Sequence, residues 1–82
     1  GYLIAPNPFE NNLTIQHYLL PTGLQSICLY NNMGQLVYRK DFNGNATTSI
    51  HIDMEKFAAG LYTVQMRYSD KVVTQRVIKV GK

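Results

Sequence analysis

Tryptophan is absent from this chain, cysteine occurs once, and only 16% of its 82 residues are charged. Each shortage excludes something. A lone Cys28 forms no internal disulfide. It stands in Gln25-Ser26-Ile27-Cys28-Leu29-Tyr30, a strand-like run without the basic neighbours or helix start that lower a thiol pKa, so it reads as a small apolar side chain. No run approaches the roughly 18 apolar residues of a membrane-spanning helix. Gly1–Glu10 has neither a basic nor an apolar leader region, so no signal or transit segment is legible. Because the sequence opens on Gly1 and not on Met, we read it as a piece of a longer chain. No low-complexity segment or internal repeat is present.

The length fits one domain, one that buries only about 60% of the surface its unfolded chain exposes. Hydrophobic residues make up 45% of the sequence, too many for a disordered tail. Eight Lys and Arg against five Asp and Glu give a formal charge of +3 and a pI near 9.2. The cations are scattered except for Lys71, Arg76, Lys79 and Lys82 near the end. Nucleic-acid binding needs a denser stripe or aromatic–basic interleaving, and neither is found.

The dominant hydrophobic period is two, the period of a strand. Leu13, Ile15 and Leu19 alternate with Thr14, Gln16 and Tyr18, with His17 on the apolar side. Ile27 and Leu29 alternate with Ser26, Cys28 and Tyr30; Ile50 and Ile52 alternate with Ser49 and His51. Tyr62, Val64, Met66 and Tyr68 alternate with Leu61, Thr63, Gln65 and Arg67. Lys71–Val80 is apolar on both sides, as a two-faced terminal strand is.

Turn chemistry separates these runs. Pro6-Asn7-Pro8 forbids helix, Pro21-Thr22-Gly23 breaks the second run, and Asn31-Asn32-Met33-Gly34 supplies residues that tolerate positive φ. Asn43-Gly44 predicts a type I′ hairpin turn. Ala59-Gly60 and Ser69-Asp70 close the series. Only Met54–Ala59 has room for a helical turn, and it is too short to stand alone. The pattern predicts an all-β fold, a small antiparallel immunoglobulin-like β-sandwich of about seven short strands, without the cysteine pair and core tryptophan of antibody domains.

Catalytic constellations are missing. His17 and His51 each sit alone in a strand, without the partner at i+2 or i+4 that a metal site needs; we expect surface or cross-strand polar roles for both. Asp53 and Glu55 flank Met54 at a turn, where paired carboxylates are ordinarily solvated. Ser26, Ser49 and Ser69 lack a nucleophile elbow, and the glycines form no phosphate loop. Asn12-Leu13-Thr14 and Asn45-Ala46-Thr47 match the N-glycosylation pattern, which is frequent by chance. So small a sandwich is a poor host for an enclosed catalytic pocket. Six tyrosines are present; an exposed row of them would stack on sugars, whereas amphipathic tyrosines more simply cover a small core with a wet tip.

In order, the chain reads Ala5-Pro6-Asn7-Pro8-Phe9, Leu13-Thr14-Ile15, then Ile27-Cys28-Leu29-Tyr30-Asn31-Asn32-Met33-Gly34-Gln35-Leu36-Val37. Ile50-His51-Ile52-Asp53, Ala59-Gly60-Leu61-Tyr62-Thr63-Val64 and Arg76-Val77-Ile78-Lys79-Val80 follow. This succession closely resembles the C-terminal sorting domain carried by cargo proteins of the type IX secretion system in Bacteroidetes. The resemblance spans roughly Ala5 to Lys82. Single elements are weak; their order and spacing are specific together. Cys28, where the family usually has another apolar residue, and the Gly81-Lys82 extension are minor departures.

The resemblance implies a non-enzymatic, seven-stranded sorting domain over 1–82, with 1–9 as linker and entering strand. It implies a larger cargo ahead of it, a protein that crosses periplasm and outer membrane to be secreted or held at the cell surface, and no cofactor. Implied partners are the outer-membrane translocon and its shuttle protein, with a sortase-like cysteine peptidase that usually removes the domain. Pro6, Asn7, Pro8, Gly34, Gly60 and Tyr62 are expected to serve structure, the two glycines where a side chain would clash. Arg76, Val77, Ile78, Lys79 and Val80 are expected to be recognised by the translocon, through backbone addition to this terminal edge and electrostatic steering by Arg76 and Lys79. An open edge also lets the isolated domain pair with a copy of itself. The rival reading is a carbohydrate-binding or adhesive β-sandwich module of a secreted protein.

Overall fold

A computed structural model describes residues 1–81, leaving Lys82 outside the described residues. Seven strands run in order: β1 (Tyr2–Ala5), β2 (Asn12–His17), β3 (Leu24–Tyr30), β4 (Leu36–Asp41), β5 (Ser49–Asp53), β6 (Gly60–Tyr68) and β7 (Val72–Lys79). They form two antiparallel sheets, β1-β2-β5 and β4-β3-β6-β7. No helix forms among the described residues; the sandwich is all-β and immunoglobulin-like in plan, as the two-residue period predicts.

Alternation decides which side chains enter the core. Ile4, Leu13, Ile15, Ile50 and Ile52 line the inner face of the three-stranded sheet; Ile27, Leu29, Tyr62, Val64, Met66 and Val77 line that of the other. Phe9, Ala46 and Met54, from the connections, fill the space between. Burying one such aliphatic or aromatic side chain contributes about 1.5–3 kcal/mol, which makes each of these positions expensive to truncate in a domain this small.

Three local expectations are corrected, and one, the short Met54–Ala59 segment, holds. The apolar alternation of β2 stops at His17: Leu19 is 81% exposed, because Tyr18-Leu19-Leu20 lies beyond the strand in a loop that Pro21 bounds. Met54–Ala59 is a plain turn, in which the Phe57 N–H donates to the Met54 carbonyl (3.1 Å) and Asp53 Oδ1 accepts from the Glu55 N–H (3.0 Å). Asn43 and Gly44 do adopt positive φ, 53° and 82°, and the Asn45 N–H closes the turn on the Phe42 carbonyl (2.9 Å). They join β4 to β5 across the two sheets, however, and not two strands of one hairpin. Finally, a Cβ at Gly34 or Gly60 would meet nothing within 4 Å. Backbone conformation, φ +79° and +150°, and not crowding, is what calls for glycine at both.

At the β3–β4 turn the side chain of Asn31 does the organising. Its Oδ1 accepts from the Met33 and Gln35 N–H groups (2.9 Å each), while Gly34, in the left-handed region, donates to the Asn31 carbonyl (3.0 Å).

Candidate recognition surface

β7 is an edge strand with β6 as its sheet neighbour, and alternation gives it two unlike faces. Val73, Gln75, Val77 and Lys79 turn inward, opposite Met66, Val64, Tyr62 and Gly60. Val72, Thr74, Arg76 and Ile78 turn outward, opposite Arg67, Gln65, Thr63 and Leu61. Of the residues expected to be recognised, Arg76 is exposed, Ile78 is 46% exposed and Val80 39% exposed; Val77 and Lys79 are buried. Lys79 retains only 2% of its surface because it lies on the inner side, paired with Gly60 and bridged to Phe9. Its stem packs in the domain, so the exposed cation of this strand is Arg76.

The largest departure from expectation is that the backbone edge at Arg76–Val80 is occupied by the chain itself. After β1 the Pro6-Asn7-Pro8-Phe9 segment crosses to the other sheet and lies parallel to the end of β7. The Phe9 N–H donates to the Ile78 carbonyl and the Val80 N–H to the Phe9 carbonyl, both at 2.8 Å. Asn7 extends this contact with its side-chain amide: Oδ1 accepts from the Ile78 N–H (3.0 Å) and Nδ2 donates to the Arg76 carbonyl (3.3 Å). Phe9, 1% exposed, pins the segment in the core. Prolines cannot donate, so they suit a strap that pairs through one asparagine side chain and one backbone residue. A partner strand therefore has no free hydrogen-bonding groups to meet at the Arg76 carbonyl or at Ile78.

Tyr62 sits at the start of β6 with its ring buried and its hydroxyl donating to the Ala58 carbonyl (2.5 Å), four residues back. This is the tyrosine corner known from immunoglobulin-like sandwiches, fixing the approach of β5 to β6. Burial raises its pKa above the ordinary 10.

Elsewhere, His51 is the cross-strand polar residue expected of it, with Nδ1 2.9 Å from Thr14 Oγ1. His17 is not a surface residue: it is buried, with Nε2 2.6 Å from the Tyr68 hydroxyl and Nδ1 without a partner. Burial, and secondarily the Gly1 amino group, lowers its pKa below 6.5. Tyr2 and Tyr68 flank the His17 ring at centroid distances of 6.3 and 5.9 Å. Tyr62 is thus in the core, Tyr2 and Tyr68 pack around His17, and Tyr38 faces inward beside Leu29, so the tyrosines form no single outward row. Asp53 and Glu55 are exposed, and no metal-holding cluster of His, Cys, Asp and Glu occurs among the described residues.

The fold is an immunoglobulin-like sandwich in which the Pro6–Phe9 segment straps the end of β1 to the end of β7. The structure is similar to the crystal structure of a DUF3244-family protein with an immunoglobulin-like β-sandwich fold from Bacteroides vulgatus. The TM-score is 0.80 at 18% identity, over 96% of this chain and 84% of that one, a likeness of fold. No curated protein matches the sequence. Residues 3–80 match the secretion system C-terminal sorting domain, and the chain belongs to that family, the sorting domain of type IX secretion. It is accordingly a sorting-signal domain of a secreted or cell-surface protein, a family whose members follow a cargo and engage the type IX machinery.

Proposed function

We propose that this domain directs a larger cargo from the periplasm across the outer membrane, read by the translocon and its shuttle protein, and that a sortase-like cysteine peptidase then removes it. The domain itself performs no chemistry. The observation that carries the reading of the terminal strand is its outward face: Arg76 and Ile78 stand exposed beside Thr63 and Leu61, on a strand whose backbone edge is closed at that level. Recognition at Arg76, Ile78 and Val80 therefore works through side chains, an apolar contact with one cation for orientation. Val77 and Lys79 support it from inside, while Pro6, Asn7, Pro8, Gly34, Gly60 and Tyr62 hold the frame.

The test fuses the chain to the C-terminus of a periplasm-targeted fluorescent protein in a Bacteroidetes host with type IX machinery. Reporter outside wild-type cells, and held in the periplasm when the translocon is deleted, is the expected result. Arg76→Glu with Ile78→Ser, folded as judged by melting, should be held as well. Normal export of that variant would remove the outward face from recognition.

A further inference from the structure

The strap closes only the second half of the β7 edge. Because Ile78 and the Arg76 carbonyl point outward to Asn7 and Phe9, alternation aims the N–H and C=O groups of Val72 and Thr74, and the Arg76 N–H, in the same direction. Among the described residues nothing pairs with them. Sheet edges are normally guarded by charge, brevity, bulges or proline. β4 carries the Arg39–Asp41 ion pair, Lys40 and a register shift; β5 ends in Asp53; β1 has 4 residues. Val72-Val73-Thr74-Gln75 is as short as β1 but carries no charge, bulge or proline: it is β-branched in three positions, and Val72 is 48% exposed.

At the Val73 end of this open half lies a cleft of about 520 Å³, lined by Tyr2, His17, Tyr68, Asp70, Lys71 and Val73 among others. It lies at one end of the sandwich, where the β2–β3 connection (19–23) and the β6–β7 turn (69–71) meet the beginnings of β1 and β7. The cations Lys71 and Arg76 mark the two ends of the open segment, Lys71 with its Nζ 5.4 Å from the Tyr68 ring on the cleft side and Arg76 on the outer side.

We propose that Val72–Gln75 is a docking edge for an extended strand of a partner protein that carries apolar side chains flanked by carboxylates. The incoming backbone pairs with Val72, Thr74 and the Arg76 N–H. Its inward side chains enter the cleft beside Val73, and its acidic ends meet Lys71 and Arg76. That the partner belongs to the secretion machinery rests on the sorting reading above; the docking edge itself does not.

The experiment titrates the 15N-labelled chain with the synthetic strand acetyl-Glu-Thr-Val-Thr-Phe-Glu-amide. Amide shifts should centre on Val72, Thr74 and Arg76, and the same peptide with Lys for Glu should bind about tenfold more weakly, an energy of about 1.4 kcal/mol. Thr74→Pro deletes one outward N–H at an edge position where proline is tolerated, and should abolish the shifts. A second variant, Lys71→Glu with Arg76→Glu, leaves the backbone intact and should invert the preference toward the Lys-flanked peptide. No shifts at these amides with millimolar peptide, or equal binding by both variants, would overturn the proposal. A wild-type dimer that Thr74→Pro dissolves would overturn the partner strand in favour of a second copy of the chain. In the fluorescent fusion, Thr74→Pro should be held in the periplasm. If it is exported normally despite losing the peptide, the partner is not the secretion machinery; if wild type itself is not exported, the sorting reading fails and the peptide result stands alone.

Discussion

Replacing Asn7 by Ala tests whether the strap is held as described. The substitution removes both side-chain hydrogen bonds to β7, the 3.0 Å bond from the Ile78 N–H and the 3.3 Å bond to the Arg76 carbonyl. A hydrogen bond contributes a net of about 0.5–1.5 kcal/mol. Both bonds are solvent-exposed and the second is long, so together they are worth about 1 kcal/mol, at the low end of that range. In a domain of 60–100 residues this lowers Tm by about 4–8 °C. The local signature is sharper than the global one. Phe9 stays buried and keeps its backbone bonds at Ile78 and Val80, so the sandwich persists while the Ile78 N–H loses its acceptor. Amide hydrogen exchange should then accelerate at Ile78 and leave Met66 and Val64 within the change expected from the lower overall stability. Unaltered protection at Ile78, with an unaltered Tm, would refute the reading of Asn7 as the clasp of the terminal edge.

Three further outcomes follow from other parts of the molecule. Phe9→Ala, at a fully buried ring, should cost about 3–5 kcal/mol in denaturant unfolding, a large share of the total for a domain this size; a loss below 1 kcal/mol would mean that the strap is not anchored in the core. Gly60→Ala meets no atom but forces a side chain into positive φ, so it should cost about 1–3 kcal/mol through the backbone alone, measured as a lower melting temperature; an unchanged melt would show that the backbone relaxes at no cost. His17 has a folded-state pKa below its unfolded 6.5, so its contribution is fully present above pH 6.5 and is lost as pH falls from 6.5 toward the lower folded value, where the unfolded chain binds the extra proton. Melts of wild type should decline through that window more steeply than those of His17→Gln; parallel profiles would contradict a buried neutral imidazole.

The class of this molecule is legible in the order of its residues. Alternation at Ile50-His51-Ile52 and from Tyr62 to Tyr68 specified half-buried strands because a period of two allows one side chain in each pair to leave water, and Asn43-Gly44 specified positive φ because few other residue pairs tolerate it. The succession of short motifs from Ala5 to Val80 was specific enough to place the chain in its family. What periodicity does not carry is which strands share a sheet, or what lies against an edge. Asn43-Gly44 looks the same whether it turns a hairpin or hands the chain to the opposite sheet. The depth of Lys79 and His17 depends on partners 70 and 51 residues away in the chain, Phe9 and Tyr68. Tertiary structure alone decided that the proline-flanked segment at the beginning seals the last turn of the final strand, since a hydrogen bond between residues 7 and 78 has no local signature. It also left Val72–Gln75 open, because the strap, fixed by Phe9 in the core, reaches no farther along the edge.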